Sequence, residues 1–293
     1  MIAVLGGSSQ LATTMKAVLS NPNLAYFDKS DIDITSIGSL TEFSKKYNPS
    51  IIINCAAYTN VNNAEKDIDN SYALNCNAVI NLTEVFKPHD THIIHISTDY
   101  VFDGNNSAPY QENYRTNPLN IYGKSKADGE QALIENYNSY TIIRTSWLFS
   151  SFKKNFLKTI FLKALVNEDL SVVSSEIGAP TDAAELAIAI EKVIYNLDLA
   201  KSKVFHFSGN NFVSWYQFAK DILDIGCDLG YLESSLNLKE LSYESIRGAK
   251  RPKYSALNSQ KFKKIFSFQH ADYRYCIARC LKIIYENHLK KEG

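Results

Sequence analysis

The chain has 293 residues, 45% of them hydrophobic and 21% charged, which suits one large α/β domain with additions or two domains. Its 31 Lys plus Arg balance 31 Asp plus Glu. That leaves no cationic surplus for neutralising a nucleic acid. With 7 Pro, 12 Gly and 5 Cys, the composition also excludes a disordered, collagen-like or disulfide-stapled chain.

The alternation of elements begins at once. Strands are predicted at Ile2–Leu5, Leu24–Phe27, Ile51–Asn54, Ile93–Ser97 and Thr141–Arg144. Several are nearly continuous apolar runs, as in strands buried on both faces of a parallel sheet. Between them lie helical patterns. Leu11, Met15, Val18 and Leu19 form one apolar face, and Leu40, Phe43 and Tyr47 another. Asp69–Phe86 and Asn120–Tyr137 are long enough to cross a sheet. The expected class is α/β, a doubly wound parallel Rossmann-type sheet with a smaller, interleaved C-terminal lobe.

Residues 1–150 are read as the nucleotide-binding domain, with 168–182 returning to its sheet, and 151–293 as mainly the substrate lobe. In that lobe helices are expected at Asn155–Val166, Ala183–Asn196, Trp215–Ile225 and Ala271–Leu289. Short strands are expected at Ser171–Val173 and Val204–Phe207. No apolar run reaches the roughly 20 residues of a membrane span. Met1–Leu5 runs straight into Gly6, without the basic start or cleavage site of a signal peptide. A cytoplasmic protein with reduced thiols and no membrane insertion is expected. Cys276 and Cys280 share one helix face and are read as packing.

Three constellations carry chemistry. The first is Gly6-Gly7-Ser8-Ser9-Gln10-Leu11-Ala12, between a strand and a helix. A helix N-terminus there offers free N–H groups to a pyrophosphate. The spacing G-x-x-G-x-x-G keeps only Gly6, with Ser9 and Ala12 in the later places. The second is Asp28, at the end of the second strand, where a carboxylate accepts ribose hydroxyls. Lys29 beside it would pair with a 2′-phosphate, so NADH and NADPH both stay open. Asp33 and Ile34 suit the amino group and ring of adenine, or simply start a helix. The third is Tyr122-Gly123-Lys124-Ser125-Lys126, downstream of Ser97-Thr98-Asp99. Tyr-x-x-x-Lys places phenol and ammonium one helical turn apart. A nearby cation favours phenolate, so a lowered Tyr122 pKa is expected.

With these residues the chain resembles the extended short-chain dehydrogenase/reductases and, within them, the dTDP-4-dehydrorhamnose reductase family. The resemblance runs from Met1 to about residue 285. It rests on 53–61, 97–104, 118–126 with Gly129-Glu130, 144–147, 178–181 and 251–255. It implies NADPH or NADH as cofactor, a nucleotide-sugar substrate and reduction of a C4 keto group for a surface polysaccharide. Thr98, Tyr122 and Lys126 would be catalytic. Gly6, Ser8, Ser9, Gln10, Leu11, Asp28, Lys29, Asp33, Ile34, Ala56, Ala57, Tyr58 and Asn75 would meet the cofactor, with Tyr122 and Lys126. Thr98, Asp99, Val101, Phe102, Ser146, Trp147 and Arg251 would meet the substrate, Arg251 through its diphosphate. Core packing for Trp147 and a surface ion pair for Arg251 are the structural alternatives.

The chain departs from the family pattern at Asn62, where Asp is usual. It also departs at Thr13 and Thr14, where metal-bridged dimers carry a carboxylate. No metal is expected, and the oligomer is left open. The rival readings are a reductase for a different nucleotide sugar and a catalytically silent nucleotide-binding subunit of the same fold.

Overall fold

The computed structural model describes residues 1–233, 237–242 and 248–292. The first part alternates β1 (Ile2–Leu5), α1 (Gln10–Val18), β2 (Leu24–Phe27), α2 (Ile37–Tyr47) and β3 (Ile51–Asn54). Next come α3 (Val61–Ala64), α4 (Ile68–Tyr72), a π-helical turn at Ala73–Asn77, and α5 (Ala78–Phe86). Then follow β4 (His92–Thr98), α6 (Ile121–Asn136) and β5 (Tyr140–Thr145). The remainder holds β6 (Leu148–Phe149), α7 (Phe156–Leu165), β7 (Leu170–Val173), β8 (Ile177–Gly178), β9 (Thr181–Asp182) and α8 (Ala183–Ile194). It continues through α9 (Leu197–Ala200), β10 (Lys203–His206), β11 (Val213–Ser214) and α10 (Trp215–Asp228). It ends with β12 (Leu238–Leu241), α11 (Gln260–Phe266) and α12 (Tyr273–Glu292). Among the described residues no helix is long and apolar enough to cross a membrane.

Six parallel strands form the central sheet in the order β2-β1-β3-β4-β5-β10. Alternate side chains of each strand serve opposite faces. Ile2 and Val4 join Leu11 and Met15 of α1 and Leu186 and Ile190 of α8 on one face. Ala3 and Leu5 join Phe43 of α2, Leu82 of α5 and Leu133 of α6 on the other. The chain leaves β1 toward β2 on one side and returns to β3 on the other. The crevice beyond the carboxyl ends of β1 and β3 is therefore the topological switch point, where open α/β sheets bind ligands.

The sequence reading sends 168–182 back to this sheet, and the structure does not. There β7 pairs with β12, β8 with β11, and β9 with β6. The reason is visible in β7 itself: Leu170 and Val172 are buried but Ser171 is exposed. A central parallel strand is covered on both faces. The segment that does rejoin the first part is 183–206, with α8 packed on α1 and β10 paired to β5. A separate core gathers Leu157 and Phe161 of α7, Phe218 and Ile222 of α10, and Ile277 and Leu281 of α12. Cys276 and Cys280 are buried within it as free thiols.

Candidate active site

A cavity of about 800 Å³ runs from the β1–α1 turn to the N-terminal turn of α6. At one end Gly6 has φ +74°, and a Cβ there would lie 2.8 Å from the Ala56 nitrogen. Only glycine lets the loops after β1 and β3 approach so closely. Ser9 replaces the second motif glycine and caps α1, its Oγ accepting from the Ala12 N–H at 3.2 Å. That leaves the first helical N–H groups, Gln10 and Leu11, without intrahelical partners. Ala12 is fully buried against α8, where a larger residue would part the two helices. Asp28 Oδ1 accepts the Ser8 N–H at 2.6 Å. The carboxylate thus braces the glycine turn as well as facing the cavity. Asp33 is held below the usual carboxylate range by hydrogen bonds from the Thr35 hydroxyl and N–H.

At the other end two glycines bring α6 onto its neighbours. A Cβ on Gly123 would lie 2.2 Å from the Tyr100 carbonyl oxygen, and one on Gly129 2.1 Å from that of Asn75. Asn120 caps the helix, accepting from Gly123 N–H at 2.8 Å. Its amide also donates to Lys250 O at 2.7 Å. So seated, α6 presents Tyr122 beside Thr98 at the carboxyl end of β4. The Tyr122 ring meets Tyr100 edge-on, centroids 5.8 Å apart. Thr98 Oγ1 donates to Asp99 Oδ1 at 3.1 Å and accepts the Tyr100 N–H at 3.1 Å.

The electrostatics correct one expectation. Burial pushes the Tyr122 phenol up to about 12, with its Thr98 hydrogen bond pulling the other way. The expected lowering by Lys126 is not found, because the lysine is engaged elsewhere. Its Nζ donates to Ile96 O at 2.7 Å and lies 3.1 Å from His95 Nε2. Burial lowers Lys126 to about 8, against the pull of the Glu130 carboxylate. Asp99 is raised to about 7, again chiefly by burial.

The third wall is aromatic. Trp147 adopts φ +45° and stacks on Trp215, ring centroids 3.4 Å apart and planes 6° apart. Gly178 makes room for it, since a Cβ there would fall 2.4 Å from the indole. Trp215 Nε1 donates to Glu176 Oε2 at 3.1 Å. Ser146 Oγ donates to Ala179 O at 2.7 Å.

The family model described as RmlD substrate binding domain matches residues 1–286. A dTDP-4-dehydrorhamnose reductase of Aggregatibacter actinomycetemcomitans is 35% identical over 282 residues, covering 93% of this chain and 95% of its own. The chain belongs to the dTDP-4-dehydrorhamnose reductase family. Two solved structures of such reductases superpose along nearly the whole length. The Bacillus anthracis protein, in complex with NADP, is 33% identical with a TM-score of 0.87, covering 96% of this chain and 98% of its own. The Clostridium acetobutylicum ortholog is 30% identical with a TM-score of 0.88, covering 99% of both chains.

Against that family's pattern, this chain brings most of the expected residues onto one lining. Gly6, Ser8, Ser9, Gln10, Leu11, Asp28, Lys29, Asp33, Ile34, Ala56, Ala57, Thr98, Asp99, Tyr122, Lys126, Ser146 and Trp147 all line the cavity. Five do not. Val101 and Phe102 are fully buried, and Phe102 stacks on Tyr110 at 4.2 Å beneath the Arg144 guanidinium. They are core, because the turn after Asp99 directs them inward. Asn75 is also buried. Its Oδ1 accepts Tyr58 N–H at 2.8 Å, and its Nδ2 donates to Ser125 Oγ at 3.0 Å and Tyr58 O at 3.1 Å. It clamps the loop after β3 to α6. The Tyr58 hydroxyl donates to Asp67 at 2.9 Å, away from the cavity.

Arg251 lies off the lining and donates to Asn62 Oδ1 at 3.0 Å. The same oxygen accepts the Ala249 N–H at 3.3 Å. The amide at the departing position 62 therefore fills the acceptor's place beside Arg251, without the charge. Sequence reasoning missed Trp215, Phe156 and the Lys153-Lys154-Asn155 turn, all on the lining. The signal for Trp215 was its rarity, as one of two tryptophans in the chain.

Proposed function

We infer that this chain is an NAD(P)H-dependent reductase of the C4 keto group of dTDP-4-dehydro-L-rhamnose. In this reading it supplies an activated deoxysugar for a surface polysaccharide, in the cytoplasm. The observation that carries the reading is the convergence of Thr98, Tyr122 and Lys126 at one end of a cavity that begins at the Gly6 turn.

The residues present fit a dinucleotide. Gly6 leaves a cradle that a Cβ would fill, and the α1 N-terminus faces it with free N–H groups. Ser97 Oγ and Thr145 Oγ1 are buried on the lining without hydrogen-bond partners among the described residues. Polar atoms so placed are costly unless a ligand completes them. Gly6, Ser9, Gln10 and Leu11 would hold the pyrophosphate, and Asp28 with Lys29 the adenosine ribose. Ala56, Ala57, Tyr122 and Lys126 would flank the nicotinamide end. When bound, the cofactor supplies a hydride to C4.

Tyr122 then donates its proton to the oxygen on C4, where negative charge grows. A phenol held at about 12 keeps that proton at neutral pH, which is the state a reduction needs. Thr98, held by the Tyr100 N–H, turns its hydroxyl from Asp99 Oδ1 to donate a second hydrogen bond to the same oxygen. Trp147 and Trp215 form an apolar wall that excludes water from one side. The test is oxidation of NADPH and NADH against a panel of dTDP- and GDP-4-keto-6-deoxy sugars, with product stereochemistry by NMR. Turnover of the dTDP-4-dehydrorhamnose member of the panel supports the reading. Its absence, with another sugar turned over, replaces the substrate, and no turnover of any member refutes the reading.

A further inference from the structure

Beneath the site lies a row of three buried polar side chains, each no more than 1% exposed: Asn54, His95 and Lys126. Asn54 ends β3 and His95 is its register partner on β4. Lys126 reaches down from α6 to meet them.

The row has a direction. Asn54 Oδ1 accepts the Ala56 N–H at 3.2 Å, which turns Nδ2 toward His95 Nδ1, also at 3.2 Å. The network assigns this amide orientation, since the reverse would set an NH₂ against the Ala56 N–H. An amide nitrogen only donates, so His95 Nδ1 is the acceptor. A neutral imidazole in that position carries its proton on Nε2. Burial holds His95 well below its ordinary pKa, so it is neutral. The atom facing Lys126 Nζ at 3.1 Å is therefore an N–H donor. An ammonium, which only donates, has no bond to make there. A neutral amine has one, and it can still donate to Ile96 O.

We propose that Asn54 and His95 are positioning residues that dock Lys126 on β4 as a neutral amine. Nζ accepts the His95 Nε2–H and donates to Ile96 O. On leaving for the cavity the amine takes one proton from solvent and becomes the ammonium that serves the cofactor ribose and Tyr122. Two further titratable groups face the lysine. Glu130 stands one turn along α6, but Arg144 holds it, the closest contact 2.6 Å, in a buried ion pair. Cys55 follows β3, and burial pushes its thiol up to about 12, so it carries no charge. Burial lowers Lys126 to about 8 against the opposing pull of Glu130 and of Cys55 when ionised, and the row acts in the same direction. What concerns turnover here rests on the reductase reading, whereas the protonation of the resting chain does not.

The test begins on the cofactor-free wild-type protein. Nitrogen-15 spectra of labelled histidine identify the His95 tautomer, with His95→Phe assigning its signals. The Nε2–H form is expected at pH 7, and the Nδ1–H form or an imidazolium would overturn the proposal without any folded variant of Asn54. The Lys126 ¹³Cε signal, assigned by Lys126→Met, is expected to show a neutral amine at pH 7, its midpoint lying below the value that burial sets. An ordinary lysine midpoint would also overturn the proposal.

In Asn54→Asp both carboxylate oxygens accept. The tautomer should then swap to Nδ1–H, and the Lys126 midpoint should rise by about one pH unit or more. Asn54→Asp/His95→Phe carries the same charge without the relay, and its shift should be clearly smaller. An equal shift there, or a swapped tautomer with an unmoved lysine, refutes the coupling. Calorimetry of NADPH binding in two buffers of different ionisation enthalpy should register proton uptake above pH 7 in the wild type and less in Asn54→Asp. If these signatures appear in a chain that reduces no keto sugar, the row stands and the reductase reading falls.

Discussion

Replacing Tyr122 by Phe removes one oxygen and leaves the ring. The edge-on contact with Tyr100 and the burial of the ring persist, so the cost in stability is about 1 kcal/mol for the lost hydrogen bond with Thr98. The cost in catalysis is larger. General acids contribute about 10²–10⁴-fold. The surroundings of Tyr122 put this site in the upper half of that range. Thr98 is an alcohol, which hydrogen-bonds the oxygen but does not give up its proton at neutral pH. Trp147 and Trp215 limit the approach of water. The expected loss in kcat is therefore roughly 10³–10⁴-fold, or about 4–5.5 kcal/mol of barrier. Single-turnover oxidation of bound NADPH measures it, with cofactor affinity by fluorescence as a control that should change less than about threefold. Thr98→Val should cost roughly 10²-fold. The double variant should cost less than the product of the two, because both groups serve one oxygen. Near-normal turnover by Tyr122→Phe would refute the assignment of the proton donor.

Other outcomes follow from single contacts. Gly6→Ala forces a Cβ to 2.8 Å from a backbone nitrogen at φ +74°. NADPH affinity should drop at least about tenfold and the melting temperature should fall, each measured by titration and thermal unfolding. Asp28→Asn keeps an acceptor for Ser8 N–H while removing the charge that repels a 2′-phosphate. The ratio of kcat/KM for NADPH over NADH should rise severalfold, and an unchanged ratio would make Asp28 a brace only. Gly129→Ala places a Cβ 2.1 Å from Asn75 O. It should destabilise the chain by about 1–3 kcal/mol in urea unfolding and lower kcat by displacing Tyr122. Asp99 has its folded pKa raised from 3.8 to about 7, so the folded chain holds a proton that the unfolded chain releases. That contribution is full below pH 3.8 and is lost as pH rises through about 7. Asp99→Asn should flatten the fall in stability across this window, and an unaltered pH dependence would contradict the burial of a titrating carboxyl.

The sheet was legible because its strands are short apolar runs whose period and burial leave one reading, and all five predicted first-half strands appear in it. What the sequence hid was pairing between distant segments. Residues 168–182 and 203–206 look alike as short β-rich runs. Only the second lies beside β5, whose free edge on the central sheet receives it. Likewise Asp69–Phe86 reads as one helix. The π turn at Ala73–Asn77 exists because Asn75 must reach both Tyr58 and Ser125, a demand set by another strand's loop. In the site, chemistry-bearing types were found from spacing. Val101 and Phe102 were drawn into the same list by adjacency to Thr98 and Asp99, and the short 3₁₀ turn at Asp99–Val101 sends them inward instead. Spacing reports neighbours in the chain, but not the direction a side chain takes.

The degraded glycine motif has the same kind of explanation. A glycine is required only where φ is positive or where backbone approaches closely, and Gly6 alone meets both conditions at the turn. Ser9 sits at φ −63°, which any residue adopts, and its hydroxyl caps the helix. A glycine there would lose that cap without relieving any strain. Close backbone approach also demands glycine on α6, where a Cβ on Gly123 or Gly129 would fall within about 2.2 Å of a carbonyl oxygen. The two glycines are six residues apart on one helix, and between them lies Lys126. Close approach at both ends is what carries the lysine's Nζ across to β4, within reach of Ile96 O and His95. In this chain the glycines that bracket the lysine thus set where the Tyr-x-x-x-Lys motif places it. Substituting either glycine should shift the Lys126 titration before it alters cofactor affinity.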